Sequence, residues 1–359
     1  MPDLREATLL HLAPHAGTSG VGDHADDFVA AVTPHLGEVV ELRHGPPRGD
    51  SIRDVLRFRR RVRAAVKARQ GRTVIVHAEL SGGAIAPLWA CAGLTGVRRS
   101  ATFHDAPRPV WYPYLTRGLS RIRLMSYAVH RPLNWLTIRL ERRLMRHVDL
   151  FALSDEGVDS MQRLRMGRSQ HVSHLLVAER PAIAPAGDRP NAVGLFGHVY
   201  TGKGFEKLHQ LRAALDPDIV LRVAGRGTEA LPNVDGVEVL GAVEGSAEDE
   251  FFASIRVLLL PYDRRYVYGM EAFPASSVLM RAVSYVTPSV SLAVTNLVSA
   301  AAAGATIAVE GDATALARAA AELVGDPAAM DRAVKDLQAF ADTQTADSAV
   351  QPFLRVWSA

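Results

Sequence analysis

The chain has 359 residues, of which 48% are hydrophobic and 6% aromatic, and its formal net charge is +3. That length exceeds one comfortable hydrophobic core, so we expect a soluble globular protein with two domains of about 150 to 190 residues. The single cysteine, Cys91, excludes internal disulfide bonds. The first residues, MPDLREATLL, lack the basic-then-apolar order of a secretory signal. The sequence therefore predicts a cytoplasmic protein.

Apolar strands alternate with helical stretches through the first half of the chain. This alternation predicts a parallel, doubly wound α/β sheet. Its strands are expected at residues 9–13, 39–43, 73–80, 100–103, 150–154 and 171–177.

A glycine-rich turn, SGVGD at residues 19–23, follows the first predicted strand. The next helix is expected to start near Asp23. Free backbone amides and a helix N-terminus at this place can hold an anion. The turn therefore indicates a negatively charged substrate.

The segment TFHD ends the fourth predicted strand with an ionisable pair, His104 and Asp105. Open α/β sheets bind their ligands at the carboxyl edge, where this pair is expected. A histidine at a strand end is often only structural. Together with the glycine turn, however, it predicts a site in which a histidine faces an anionic substrate.

Basic residues are concentrated in the first half of the chain. Residues 53–69 hold seven arginines and one lysine against Asp54, and residues 117–146 hold eight arginines against Glu141. Apolar residues at helical spacing make the first segment an amphipathic helix with an arginine face. Such a surface suits anionic lipid headgroups, or it is a solvated face in an arginine-rich protein. Nucleic acid is a weaker option, because no DNA- or RNA-binding motif accompanies the charge.

Prolines and a glycine in residues 179–191 predict an interdomain linker. A second α/β series follows, with strands expected at residues 192–196, 219–224, 237–240, 257–261, 289–294 and 306–309. We therefore divide the chain into domains at 1–185 and 186–345. Residues 346–359 are expected to form a last helix whose Phe353 and Trp357 need a surface to cover, and the first domain is the candidate.

A second glycine-containing turn opens the second domain, at FGHVYTGKG. Small residues let backbone amides approach a phosphate, and Lys203 supplies charge. The spacing is neither a Walker A sequence nor the dinucleotide fingerprint. Taken alone, the glycines could simply cap and turn the chain.

At this point the chain resembles the retaining glycosyltransferases of the GT-B fold, specifically the large family four of nucleotide-sugar-dependent enzymes. The resemblance covers nearly the whole chain in the family order. Its pieces are SGVGD, IVHAEL with the following GG, TFHD, LFALS, FGHVYTGKG, LRVAGRG, VLGAV, VLLLPY and FPASSVLMRA with Pro288 downstream. It implies two Rossmann-like doubly wound domains facing across a cleft.

The resemblance also implies roles for single residues. Lys203 matches the family's diphosphate lysine, and His104, beside Asp105, matches the histidine near the reacting sugar. Gly20 and Gly22 would bring amides to the diphosphate or acceptor. On this basis Val21 and Asp23 are assigned to the acceptor. The family needs no metal and no cofactor beyond its nucleotide-sugar substrate, so we expect none here.

Two departures from the family put the donor in doubt. The family's paired glutamates are replaced by Phe273 and Arg281, and the arginine that usually follows the glycine at 197 is replaced by His198. Glu271 could substitute only if its loop is rearranged, and Arg281 could reach the diphosphate instead. We assign His198 and Arg281 to the diphosphate. The residues assigned to the nucleotide are Gly197, Arg226, Ala242, Val243, Glu271, Ser276 and Ser277.

The sequence thus predicts a retaining, metal-independent glycosyltransferase that moves a sugar from a nucleotide diphosphate sugar to an acceptor glycan, lipid or small molecule. A lipid-linked acceptor would place the protein at the inner face of the membrane, on an anionic surface. Two alternatives stay open. One is a GT-B nucleotide-sugar epimerase, and the other is a catalytically silent GT-B protein that binds a nucleotide or a partner, as the replaced glutamates suggest.

Overall fold

The computed structural model describes residues 3–108, 116–117, 123–177, 179–267 and 270–359. They form two compact units. The first unit combines Met1–Leu176, Tyr266–Ala275 and Ala346–Ala359, and the second combines Val177–Arg265 and Ser276–Thr345. The first unit therefore draws on three separate stretches of the chain.

The core of the first unit is a six-stranded parallel sheet with the order β2-β1-β3-β4-β6-β7. The central strands are buried along their whole length, as apolar parallel strands covered on both faces are. The strands are β1 (Thr8–Pro14), β2 (Glu38–His44), β3 (Val74–Leu80), β4 (Arg98–Phe103), β6 (Asp149–Ala152) and β7 (Ser169–Val172).

Three helices of the first unit begin at serine caps. Ser19, Ser51 and Ser154 each accept a hydrogen bond from a backbone N–H in the first turn of the following helix, which satisfies one of its free donors. The helices are α1 (Gly20–Val32), α2 (Ile52–Lys67), α3 (Ile85–Cys91), α4 (Arg123–Met145), α5 (Asp155–Arg163) and α12 (Ala346–Ser358).

The last helix, α12, packs on α1 of the first unit. Phe353 and Trp357 are buried there with Phe28 of α1 in one apolar cluster. The rings of Phe28 and Phe353 lie 4.9 Å apart at an edge-to-face angle. Burial of such aromatic side chains contributes strongly to docking a helix.

A small sheet adds a feature that the sequence analysis did not predict. β13 (Met270–Pro274) pairs antiparallel with β5 (Asp105–Ala106), so that Pro274 lies opposite Asp105, and β12 (Arg265–Val267) completes the sheet. This pairing fixes the backbone directly after His104.

The second unit is built on another six-stranded parallel sheet, with the order β10-β9-β8-β11-β14-β15. Its strands are β8 (Ala192–Phe196), β9 (Val220–Ala224), β10 (Val237–Gly241), β11 (Val257–Leu260), β14 (Ser289–Leu292) and β15 (Ile307–Val309). The helices around it are α6 (Leu208–Ala213), α7 (Ser246–Ala253), α8 (Ser277–Ser284), α9 (Leu297–Ala302), α10 (Ala313–Gly325) and α11 (Pro327–Thr343). The predicted pair of doubly wound α/β domains is thereby confirmed.

Within the described part of the chain, no helix combines the length and the apolar character that crossing a bilayer requires.

Candidate functional site

The glycine turn of the first unit is held closed by its own residues. Ser19 caps α1 by accepting from the backbone N–H of Gly22, and the Asp23 carboxylate accepts from the backbone N–H of Gly17 at 2.8 Å. A Cβ at position 22 would lie 2.3 Å from the carbonyl oxygen of His15, so only glycine fits. Asp23 therefore stabilises the turn, while the exposed Gly20 and the partly buried Val21 lie at the start of the helix.

His104 and Asp105 lie directly after β4, as predicted. The backbone N–H of His104 donates to the carbonyl oxygen of Leu80, and Asp105 accepts from the backbone N–H of Gly82 at 2.9 Å. These contacts tie the TFHD segment to the end of β3. The structure thus brings His104 and Asp105 to one sheet edge.

The partner of the His104 ring is a residue that the sequence analysis missed. Glu79, at 0% exposure on β3, has its Oε2 2.6 Å from Nε2 of His104. Its other oxygen, Oε1, lies 3.1 Å from Nε2 of His11 and 3.2 Å from Nε2 of His77. One buried carboxylate therefore contacts three histidine rings.

Burial by itself would raise the pKa of Glu79. Hydrogen bonds from His104, His11 and His77 outweigh that effect and hold the pKa of this carboxyl well below its usual range. Glu79 is therefore a carboxylate in the folded protein. A carboxylate only accepts hydrogen bonds, so the Nε2 atoms of His104 and His11, which are hydrogen-bonded to it, carry protons.

A hydrogen-bonded chain links this carboxylate to the last helix. The indole Nε1–H of Trp357 donates to Oγ of Ser100 at 2.8 Å, and Oγ of Ser100 lies 2.8 Å from Nδ1 of His77. Oγ of Ser100 can accept a second hydrogen bond from Nδ1 or donate its own hydrogen to it, so this chain admits either tautomer of His77. Nε2 of His77 also lies 3.0 Å from Oγ1 of Thr102.

His24 on α1 is a fourth histidine at this place. Its ring centroid lies 5.3 Å from that of His104. Burial lowers the pKa of His24 to about 4, so its imidazole is neutral at pH 7. It places an uncharged polar ring beside His104.

His24, Glu79 and His104 are also the described residues whose ligand atoms could share a metal ion, since these atoms all lie within 4.8 Å of one another. Two ligands of a tetrahedral zinc ion, each about 2.1 Å from the metal, lie about 3.4 Å apart. The 2.6 Å between Glu79 and His104 is shorter than that and is the length of a charge-assisted hydrogen bond. The arrangement seen fits a shared proton better than a metal.

The turn that the sequence analysis assigned to phosphate binding follows β8 in the second unit. Gly197 has φ near +121°, and a Cβ on Gly204 would lie 2.3 Å from the side chain of Pro261, so both positions require glycine. His198 is exposed in the same turn. The turn has the backbone that a close approach to a ligand needs.

Lys203 lies in this turn against two tyrosine rings. Its ammonium is 3.8 Å from the ring centroid of Tyr262 and 5.6 Å from that of Tyr200. Burial lowers the pKa of Lys203, and the neighbouring Tyr200 opposes part of that shift. Among the described residues, no carboxylate lies within ion-pair distance of Lys203. The lysine charge is therefore stabilised by aromatic faces and left available to an anion.

Tyr262 was not foreseen from the sequence. It is held by a hydrogen bond between its hydroxyl and Oγ of Ser276, at 3.1 Å. Ser276 also caps α8 by accepting from the backbone N–H of Leu279. Ser276 is thus a structural residue that supports the lysine site, while the neighbouring Ser277 is exposed.

Arg281 makes a contact that bears on its assignment to the diphosphate. Its Nη1 lies 3.4 Å from Oε1 of Glu248 on α7, a carboxylate that also accepts from the hydroxyl of Tyr285. Burial raises the pKa of Glu248, and Arg180 opposes the rise. Arg281 would have to leave this pair to reach a ligand.

The remaining nucleotide candidates are spread over both units. Arg226 forms an ion pair with Glu244 at the surface of the second unit, and Ala242 and Val243 follow β10. Glu271 lies on β13, which belongs to the first unit. The other residues assigned to the nucleotide lie in the second unit.

Comparison with known proteins gives a fold but no close relative. No family model matches the chain, and no curated protein sequence does. Among solved structures, sucrose-phosphate synthase from Thermosynechococcus elongatus is similar at a TM-score of 0.68 and 14% identity, over 98% of each chain. Anabaena HepE in complex with UDP-glucose is similar at 0.67 and 13%, over 98% of this chain and 99% of that one. WaaG, a glycosyltransferase involved in lipopolysaccharide biosynthesis, is similar at 0.58 and 14%, over 97% and 98%.

The likeness spans both units of the chain and nearly the full length of these proteins. The fold is therefore that of the GT-B glycosyltransferases, as the ordered motifs predicted.

Proposed function

We propose that the protein is a retaining glycosyltransferase that uses a nucleotide diphosphate sugar as donor. The observation that carries the proposal is Lys203, a half-buried cation without a carboxylate partner among the described residues, in a turn whose positions 197 and 204 require glycine. A diphosphate would supply the missing negative charge. The full-length likeness to enzymes such as HepE, which was solved with UDP-glucose, supports the same donor class.

The chemistry follows from the charges. When the bond between sugar and diphosphate breaks, negative charge develops on the departing phosphate oxygens. Lys203 and the backbone amides of its turn can stabilise that charge because they are already positioned before the reaction. We expect these groups to replace a metal ion, so that activity persists in the presence of a chelator.

Donor hydrolysis tests the proposal. The purified protein is incubated with UDP-, GDP- and ADP-sugars, and release of the nucleoside diphosphate is measured with and without EDTA. UDP-glucose is the first donor to try, and the anomer released first is read by NMR to decide between retention and inversion. Binding of a nucleotide without turnover of any donor would favour the silent binding protein, which the pairing of Arg281 with Glu248 also makes a candidate.

We further propose that the acceptor lies at an anionic membrane, because α2 combines exposed arginines with exposed apolar side chains. Ile52 is 55% exposed, and Arg53 and Arg60 are exposed on the same helix. On α4, Trp135 is 58% exposed with the guanidinium of Arg139 5.0 Å over its ring. Of the second basic segment, residues 118–122 lie outside the described residues.

Vesicle co-sedimentation tests the membrane surface. At low salt the protein should sediment with anionic vesicles and be released by added salt, because exposed charges are screened beyond a Debye length of about 8 Å at physiological ionic strength. The double variant Arg53→Glu and Arg60→Glu should lose binding. Arg332→Glu with Lys335→Glu, an equal charge reversal on α11 of the second unit, is the control. If both double variants lose vesicle binding equally, or if the wild type does not bind vesicles, the α2 surface does not bind membranes. A soluble acceptor is then the better proposal.

A further inference from the structure

We infer that Glu79 is a positioning residue that fixes which nitrogen of His104 meets the substrate. The inference rests on the proposed function, in which His104 lies near the reacting sugar. Glu79 is two residues after His77 on a strand that is buried along its length. Since alternate residues of a strand share a face, His77 and Glu79 project to the same side of the sheet.

The charge of Glu79 determines the protonation of the ring. Because Glu79 is ionised, it cannot donate to Nε2 of His104, and the 2.6 Å bond requires the proton to be on Nε2. In the neutral ring, Nδ1 then carries the lone pair. Among the described residues, Nδ1 of His104 has no hydrogen-bond partner. Nδ1 is therefore the atom left to accept from a sugar hydroxyl.

The other two histidines hold the carboxylate in place. Nε2 of His11 is hydrogen-bonded to Oε1 of Glu79, and Nε2 of His77 lies 3.2 Å from the same oxygen, which leaves Oε2 for His104. Nδ1 of His11 is buried without a hydrogen bond in the described structure, an arrangement that costs stability. The cluster thus favours one orientation of Glu79, although Nδ1 of His11 is left without a hydrogen bond.

The carboxylate would also stabilise the protonated form of the His104 ring. If His104 takes a proton from a substrate hydroxyl at Nδ1, the ring becomes a cation beside a fixed negative charge. Glu79 would stabilise that cation without itself moving or accepting the proton. Both effects act through His104, so Glu79 need not touch the sugar.

The variant Glu79→Gln gives the inference a sharp test. The Nε2–H of His11 donates to the position of Oε1, so the amide oxygen of the introduced glutamine should stay there and its NH2 group should face His104. Nε2 of His104 then has to accept, and the proton of the neutral ring moves to Nδ1. We expect the proton on Nε2 in the wild type and on Nδ1 in Glu79→Gln.

The tautomer is read by two-bond ¹⁵N–¹H NMR on protein labelled at histidine, at about pH 8, above the ordinary imidazole pKa. The His104 signals are assigned by their loss in His104→Asn. Asp149→Asn is the matched control, because Asp149 is another buried carboxylate, at the start of β6, whose partners are Arg168 and Ser169. It should lower stability without moving the His104 proton.

Donor hydrolysis provides the second readout. Glu79→Gln should lower kcat about tenfold or more and change the KM of the donor less than about twofold, because the diphosphate is assigned to the second unit. A wild-type His104 with its proton on Nδ1, an unchanged tautomer in Glu79→Gln, or an unchanged kcat would each overturn the inference. If Glu79→Gln does not fold, the wild-type tautomer still decides. If no donor is hydrolysed, the proposed function fails while the tautomers still test the placement of the proton.

Discussion

Replacement of Lys203 by methionine should have opposite effects on the free protein and on its complex with a nucleoside diphosphate. In the free protein the ammonium is partly desolvated, and its contacts are the faces of Tyr262 and Tyr200. Methionine fills similar space without a charge. We therefore expect the free energy of unfolding of the unliganded variant to equal or exceed that of the wild type.

The complex should be weakened. A charge-assisted hydrogen bond between Lys203 and a phosphate oxygen is worth about 1.5 to 3 kcal/mol, which corresponds to a loss of roughly 10- to 150-fold in affinity. The measurement is calorimetric titration with whichever of UDP, GDP and ADP binds the wild type best, combined with thermal unfolding with and without that ligand.

Lys207 provides the control, because it lies in the same region with a different environment. Its ammonium is 2.7 Å from the Asp263 carboxylate and 2.9 Å from the carbonyl oxygen of Pro261. Lys207→Met breaks these contacts, so it should destabilise the free protein and leave the affinity unchanged. Lys203 does not bind the diphosphate if Lys203→Met binds it as tightly as the wild type does. Its charge is not left unpaired in the free protein if Lys203→Met destabilises that protein as much as Lys207→Met does.

Three further outcomes are expected. Burial lowers the pKa of His44 to about 4, so protonation of His44 favours the unfolded chain, in which its pKa is about 6.5. The free energy of unfolding should therefore fall by about 2 kcal/mol from this residue between pH 8 and pH 5. Urea unfolding at both pH values should show a smaller loss in His44→Asn than in the wild type. Arg281→Glu places a second carboxylate against Glu248 and should cost about 2 to 4 kcal/mol, more than Arg281→Met, and a calorimetric scan in which the glutamate variant is the more stable would contradict the ion pair. Tyr262→Leu should weaken diphosphate binding more than Tyr262→Phe, which keeps the ring under Lys203, and titration of both variants compares the two.

The two large sheets could be predicted from the sequence because each strand is a short apolar run followed by a turn or a helix signal. Val74–Leu80 and Ala192–Phe196, for example, agree with the predicted strands to within a residue. β13 could not be predicted in this way. Its residues pair with Asp105–Ala106, a contact distant in sequence, and Pro274 argues against a strand.

The sequence predicted the turns of the candidate site better than the side-chain contacts within it. Ser19 and the glycines of the first turn indicate a capped helix. The bond between Glu79 and His104 depends on the register of neighbouring strands and on the path of the chain after β4, which no local pattern fixes. The sequence nevertheless contained an indication that Glu79 has a polar partner. His77 and Glu79 alternate in a strand that is otherwise apolar, and buried polar residues usually have partners.

The place of Trp357 in the first unit has a consequence for how the protein is made. During synthesis the chain emerges from its N-terminus, and domains commonly fold as their residues become available. The six strands of the first large sheet are complete long before residues 266–275 and 346–359 exist. Until residues 346–359 are synthesised, Phe28 lacks its contacts with Phe353 and Trp357, and Oγ of Ser100 lacks the indole donor of Trp357. We therefore expect the first unit to reach its final packing only after the second unit has been translated.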